Sequence, residues 1–458
     1  VLGIFGDTDV WDEAVNGLFQ MQHRGQDACG LILGDGTRLR LHKGLGHVRD
    51  VLAARPADEF VGNVACGHVR YPTQGGNRMT NTQPHLIQTL EGSVLGLASN
   101  GDITNYWEVR EELAREGVEF LGTNDGELIL RYIAWQHLRR GLDVLSAIRA
   151  MQTRLRGAFS TVLVTPTRMW AIRDPFAFRP LSIGTRDGLW VAASETSALD
   201  ICRVELIGDL EPGEVVEFGP EGMTRHRHPE VVALRNGRAQ AAHCAFEHVY
   251  FSRPDSISFG MRVYDVRKRI GAWLADGETT TADVVIPVPD SSNAVALGFA
   301  QASGLPFEFG LIRNHYVGRT FISPTQARRD DGVRQKFNPM RSVLEGRRVM
   351  LVDDSIVRGT TLRKIVRMVR GAGAAEVHVR IGSPVTRFSC FYGVDTPDAS
   401  ALIANQLDHD GITAHLEADS LRYMTAAGLR ECLGDTGNFC MACFDGAYPV
   451  EITEAKRS

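Results

Sequence analysis

Asp353 and Asp354 close the apolar run Val349-Met350-Leu351-Val352. Ser355, Ile356, Val357, Arg358, Gly359, Thr360 and Thr361 follow, then a helical stretch to about Arg370. A buried strand that ends in two carboxylates and feeds a helix through a hydroxyl-rich loop suits a phosphorylated ligand. Free backbone N–H groups and the helix dipole favour a phosphate at such a helix start. Gly359 lets the backbone come close. The two acids, one step before the phosphate, suit vicinal ribose hydroxyls. The loop falls at the C-terminal end of a strand, where open α/β sheets bind ligands. Neither GxxxxGK nor GxGxxG is present here, so this is neither a Walker loop nor a dinucleotide fingerprint.

A second chemical signal is Cys440-Met441-Ala442-Cys443. A CxxC pair is compatible with zinc, an iron–sulfur cluster or a redox couple. Eight cysteines in 458 residues are too few for a disulfide scaffold.

The elements that must position these residues fall into two halves. Over the first 230 or so residues, Leu31–Leu33, Val94–Leu97, Ser160–Val164 and Trp190–Ala193 read as strands. Leu128–Leu138 has helical spacing. Arg225–Ala242 is polar and reads as a linker. Beyond it, Val284–Val288, Val349–Val352 and Val377–Ile381 are continuous β-branched runs, as in buried parallel strands. The second half is therefore an α/β domain. A net charge of −5 points to no nucleic acid or anionic membrane. No apolar run approaches the ~18 residues of a membrane span, and no signal peptide opens the chain, so a cytoplasmic location is expected.

The strand, acid pair and loop resemble the PRPP signature of type I phosphoribosyltransferases. Further motifs are similar to the glutamine amidophosphoribosyltransferase family: Cys244-Ala-Phe-Glu-His-Val-Tyr250, Ile286-Pro-Val-Pro-Asp290-Ser-Ser-Asn293 and Tyr316-Val-Gly-Arg319. So are His23-Arg-Gly-Gln-Asp27, Gly67-His-Val-Arg70-Tyr71 and Asn100-Gly101. The resemblance runs over nearly the whole chain. It implies an Ntn-type αββα glutamine amidotransferase domain over residues 1–235. A type I phosphoribosyltransferase α/β domain with a parallel sheet would follow over 236–458. It also implies a homotetramer.

By the same resemblance Asp353 and Asp354 hold the ribose, and Ser355, Arg358, Gly359, Thr360 and Thr361 line the 5′-phosphate site. Asp290, Ser291 and Ser292 belong to a pyrophosphate loop running from Val288 to Asn293. A basic lid spans Arg319 to Lys336, with Arg328, Arg329 and Arg334 between. Mg²⁺ is expected near Ser292, Asp353 and Asp354, held mostly by substrate and water. In one branch of the family four cysteines hold a [4Fe–4S] cluster. Cys244, Cys390, Cys440 and Cys443 match them, although zinc also accepts four thiolates. Cys29, Cys66, Cys202 and Cys432 then read as small core residues.

One departure decides the functional expectation. Family members open on Cys-Gly-Ile-Phe-Gly or a close variant, and that thiol attacks the glutamine amide. Here the matching stretch is Leu2-Gly3-Ile4-Phe5-Gly6, and leucine is no nucleophile. The rest of the glutamine pocket persists: Arg70, Thr73 and Asp125 for the amino-acid end, Asn100 and Gly101 for the oxyanion. Ser99 and Asp102 stand where histidine and asparagine are common. The expectation is an enzyme that transfers ammonia or another amine to C1 of PRPP, releasing pyrophosphate, with an inactive glutaminase half. The alternatives are a non-catalytic PRPP- or nucleotide-binding regulator, and a glutamine-dependent enzyme whose natural N-terminus differs from Val1-Leu2.

Overall fold

The computed structural model describes residues 1–56, 60–71, 78–90, 92–235, 241–315 and 335–453. Thr73 and Arg319, with most of the basic lid segment, lie outside them.

The first half is built from two antiparallel sheets. A seven-stranded sheet centres on Leu2–Phe5, flanked by Leu189–Ala193 and Val64–Arg70. A six-stranded sheet centres on Met169–Arg173 and Gly157–Val164, with Gly92–Ile103 beside the latter. Alternation along each strand assigns side chains to faces. Phe5, Ile32, Val162 and Ala171 fill the space between the sheets. Leu2, Ile4, Leu31 and Leu33 face outward, against helix Trp11–Gln20 and helix Thr196–Ile201. On the far side Leu97, Phe159 and Ile172 meet helices Tyr106–Arg115, Asp125–Ala134 and Val144–Arg154. The result is the expected αββα order of layers.

The second half is a four-stranded parallel sheet in the order Val284–Pro287, Arg348–Asp353, Glu376–Ile381, Ser420–Tyr423. Helices Val263–Ala275 and Asn293–Ser303 cover one face, and Thr360–Gly371 and His409–Leu416 the other. The central strand is buried on both faces, which explains its unbroken apolar run.

Two expectations need adjusting. The linker expected over Arg225–Ala242 begins inside a strand, Gly222–His226, and contains a short helix, Pro229–Ala233. Pro at the first helical position loses nothing, because that N–H has no partner within the helix. The helix expected over Leu128–Leu138 instead starts at Asp125 and ends at Ala134, continuing as a wider turn through Arg139.

Candidate active site

A single cavity of about 1720 Å³ holds both chemical constellations. Arg70, Asn100, Gly101 and Asp125 line its first-half end, and Asp353, Asp354 and residues Ser355 to Thr361 its second-half end.

At the second-half end, strand Arg348–Asp353 delivers the acid pair and helix Thr360–Gly371 starts immediately beyond the loop. No side chain caps that helix, so its first N–H groups remain for a ligand. Gly359 has φ +72°, a left-handed conformation that favours glycine, and a Cβ there would lie 2.6 Å from the tip of the Ile403 side chain. The pyrophosphate loop reaches the acids directly. Ser292 Oγ donates to Asp353 Oδ1 at 3.0 Å, and Ser291 Oγ to Asp354 Oδ2 at 2.5 Å. Burial and mutual repulsion push Asp353 well above the usual carboxylate range. Burial raises Asp354 as well. Lys336 faces Asp353, and the buried Arg267 faces Asp354. Arg313 pairs with Asp290 at 2.5 Å. Sequence reasoning missed Arg267 and Arg313, which sit in no motif quoted above.

At the first-half end, Asn100 and Gly101 lie on strand Gly92–Ile103. A Cβ on Gly101 would fall 1.9 Å from the Ala158 carbonyl oxygen, so the strand pair forbids any side chain there. Arg70 ends strand Val64–Arg70 and faces Asp27 and Asp125. Asp125 opens its helix beside Asn124, which caps it by accepting from Gly126 N at 2.9 Å. Ser99 Oγ hydrogen-bonds Thr161 Oγ1 at 2.7 Å.

Leu2 does not face this cavity. Its side chain is fully buried against Gly17 beneath the helix layer. Val1 lines the cavity instead, and its nitrogen donates to Ser194 Oγ at 2.9 Å. A strand of period two places residues 1 and 2 on opposite faces. Cys29 is fully buried, and burial pushes its thiol up to about 12, so it is no replacement nucleophile.

Between the two ends runs a buried ionic network. Arg24 donates to Glu195 at 2.5 Å and to Glu247 at 2.6 Å. Arg179 pairs with Glu247 at 2.9 Å, and its guanidinium lies 3.8 Å from Cys244 Sγ. Glu195 also accepts from Arg253 N at 3.0 Å and Ser256 Oγ at 2.8 Å. The neighbouring guanidinium groups hold Glu247 below the usual carboxylate range despite its burial. Arg24 and Glu247 stand inside quoted motifs, but no spacing rule joins residues this far apart in the chain.

The four cysteines expected as cluster ligands come together. Cys244 and Cys440 are register partners in a two-stranded parallel pair, and Cys443 starts from the turn just after. Each of Cys440 and Cys443 feels Cys244 and Cys390 electrostatically. Among the described residues no three His, Cys, Asp or Glu side chains converge tightly enough for a single metal ion. Cys29, Cys66, Cys202 and Cys432 are all buried, as core residues should be.

Comparison with known proteins finds a domain match in each half of the chain. A glutamine amidotransferase domain matches residues 75–201, and a phosphoribosyl transferase domain matches residues 260–387. The amidophosphoribosyltransferase of Synechocystis sp. is 44% identical over 96% of this chain and 88% of its own length. That of Bacillus subtilis is 41% identical over 99% of this chain and 94% of its own. The solved structure of the B. subtilis glutamine PRPP amidotransferase, complexed with ADP and GMP, superposes with a TM-score of 0.90 at 40% identity. It covers 99% of this chain and 98% of that one.

Proposed function

The chain belongs to the amidophosphoribosyltransferase family, and from that premise we propose that its second half makes 5-phosphoribosylamine from PRPP and ammonia while its first half does not hydrolyse glutamine. The observation that carries the transferase reading is the uncapped helix start behind Gly359, with Asp353 and Asp354 one step before it. The observation that carries the glutaminase reading is Leu2, which brings no nucleophile and is packed under the helix layer.

In this reading the 5′-phosphate sits on the N–H groups of Thr360 and Thr361, and the ribose hydroxyls donate to Asp353 and Asp354. The diphosphate lies between the 288–293 loop and Lys336. The nitrogen lone pair forms the C1–N bond on the face opposite the diphosphate. The C1–O bond breaks, its electron pair leaves with pyrophosphate, and the ammonium proton passes to water. The transition state is oxocarbenium-like, so positioning and charge placement supply most of the rate. Asp353, Asp354 and Ser292 fit Mg²⁺, whose contribution is to neutralise the diphosphate. The continuous cavity gives ammonia a path from either end.

Cys244, Cys390, Cys440 and Cys443 fit a [4Fe–4S] cluster by donor type. The support for this reading is that Cys440 and Cys443 both lie within electrostatic reach of Cys244 and Cys390. Its contribution is structural, tying residues 243–244 to 439–443. Iron and acid-labile sulfide analysis of anaerobically purified protein tests it. We place the domain boundary near residue 235 and the assembly as a homotetramer, which sedimentation tests.

The decisive test is pyrophosphate release from PRPP and Mg²⁺ under anaerobic conditions. Release with ammonium but not with glutamine is expected. Release with glutamine at a comparable rate overturns the glutaminase reading, and silence with both overturns the transferase reading.

A further inference from the structure

Glu195 stands just before helix Thr196–Ile201 in the first half and is fully buried. It is not among the residues that line the cavity. Its two carboxylate oxygens are divided between the halves of the chain. Oε1 accepts from Arg24 Nε at 2.5 Å and lies 2.6 Å from His23 Nε2. Oε2 accepts from Arg253 N at 3.0 Å and from Ser256 Oγ at 2.8 Å. The next residue adds a third hold, since Thr196 Oγ1 accepts from Ile257 N at 2.8 Å. Two consecutive first-half residues thus grip residues 253–257 of the second half.

The gripped segment is part of the cavity wall. Ser252, Arg253, Pro254 and Asp255 line the cavity. The Ser252 carbonyl accepts from Arg267 Nη2 at 2.7 Å, and the His248 carbonyl from Arg267 Nε at 2.8 Å. Arg267 is 1% exposed, lines the same cavity and attracts Asp354. A shift of residues 252–256 therefore moves Arg267 against the acid pair. Only a carboxylate can accept at both oxygens. An amide offers one acceptor and turns two N–H donors toward the donors of the other half. Hydrogen bonds to a buried carboxylate are among the strong ones, so the hold is stiff.

We propose that Glu195 is a positioning residue for the PRPP site: from the half of the chain that does not carry that site, it fixes the 252–256 wall segment, and through Ser252 the Arg267 guanidinium, against the acid pair. The inference rests on the reading that the second-half end binds PRPP. Glu195 touches no substrate in this account and acts only through the segment it holds. The first half thereby has a role in transfer that needs no nucleophile at position 2.

The test is calorimetric titration of the full chain with PRPP and Mg²⁺, without a nitrogen source. Glu195→Gln keeps the side-chain size and is expected to raise the Kd about tenfold. Ser256→Ala leaves the Arg24 side untouched and is expected to raise it about threefold. A partly unfolded sample lowers the number of binding sites but leaves the Kd of the folded molecules unchanged, so the Kd separates positioning from loss of structure. Ser256→Ala carries the test by itself if Glu195→Gln does not fold. A wild-type Kd in every variant that folds overturns the inference. With the Kd raised as expected, failure of the wild type to release pyrophosphate on adding ammonium overturns the transferase reading and leaves the inference standing. No PRPP binding by the wild type overturns both.

Discussion

The two ends of the cavity differ in how they are assembled. At the second-half end the strand, the acid pair, the loop and the helix form one continuous segment, to which the 288–293 loop, Arg267 and Lys336 are added from elsewhere in the chain. The first-half end gathers Val1, Arg70, Asn100, Gly101 and Asp125 from four separate segments. A contiguous site carries its ligand preference in local backbone geometry, so few substitutions leave it intact. A dispersed site can lose one chemical group while its frame persists, because the frame is also the packing of two sheets. Leu2 fits that account: it fills core volume.

The predictions that bear on this contrast run from large to small. Asp353→Asn with Asp354→Asn should cut ammonium-dependent pyrophosphate release by about a thousandfold, or about 4 kcal/mol. A loss below tenfold would remove the acid pair from the transferase site. Glu247→Ala strands Arg179 as a buried, uncompensated charge and leaves Arg24 with Glu195 alone. Urea unfolding should show a loss of about 3 kcal/mol. If stability is unchanged, the network does not tie the halves together. Leu2→Ala should cost about 2 kcal/mol through the cavity it leaves, while the ammonium-dependent rate per folded molecule stays the same. A change in that rate without a stability loss would place Leu2 in the chemistry after all. Cys29→Ser should cost only about 1 kcal/mol for the buried hydroxyl. It should leave the ammonium-dependent rate unaltered in the same pyrophosphate assay, and glutamine-dependent release in the wild type that Cys29→Ser abolishes would reopen Cys29 as a nucleophile.

What was legible in the sequence follows the same division. Val349 to Thr361 could be read directly, because a buried run, two acids and a glycine-hydroxyl loop are local signals. The parallel sheet was legible from unbroken β-branched runs. The αββα layers and the four cysteines came by resemblance, and the register of Cys244 with Cys440 shows how the chain brings two of those distant thiols together. The facing of Leu2 was not legible, since a four-residue strand carries too little alternation to assign its faces. Nor was the Arg24–Glu247 contact, which joins residues 223 positions apart. The polar stretch from Arg225 hid a strand end and a helix because surface elements and linkers share a composition.

The central claim is that transfer runs at the second-half end without nitrogen from glutamine. It is tested most directly by competition: PRPP, Mg²⁺, [15N]ammonium and unlabelled glutamine at equal concentration, under anaerobic conditions, with the isotope at C1-bound nitrogen read by mass spectrometry. The account predicts product carrying 15N throughout. Product carrying glutamine's unlabelled nitrogen would contradict it.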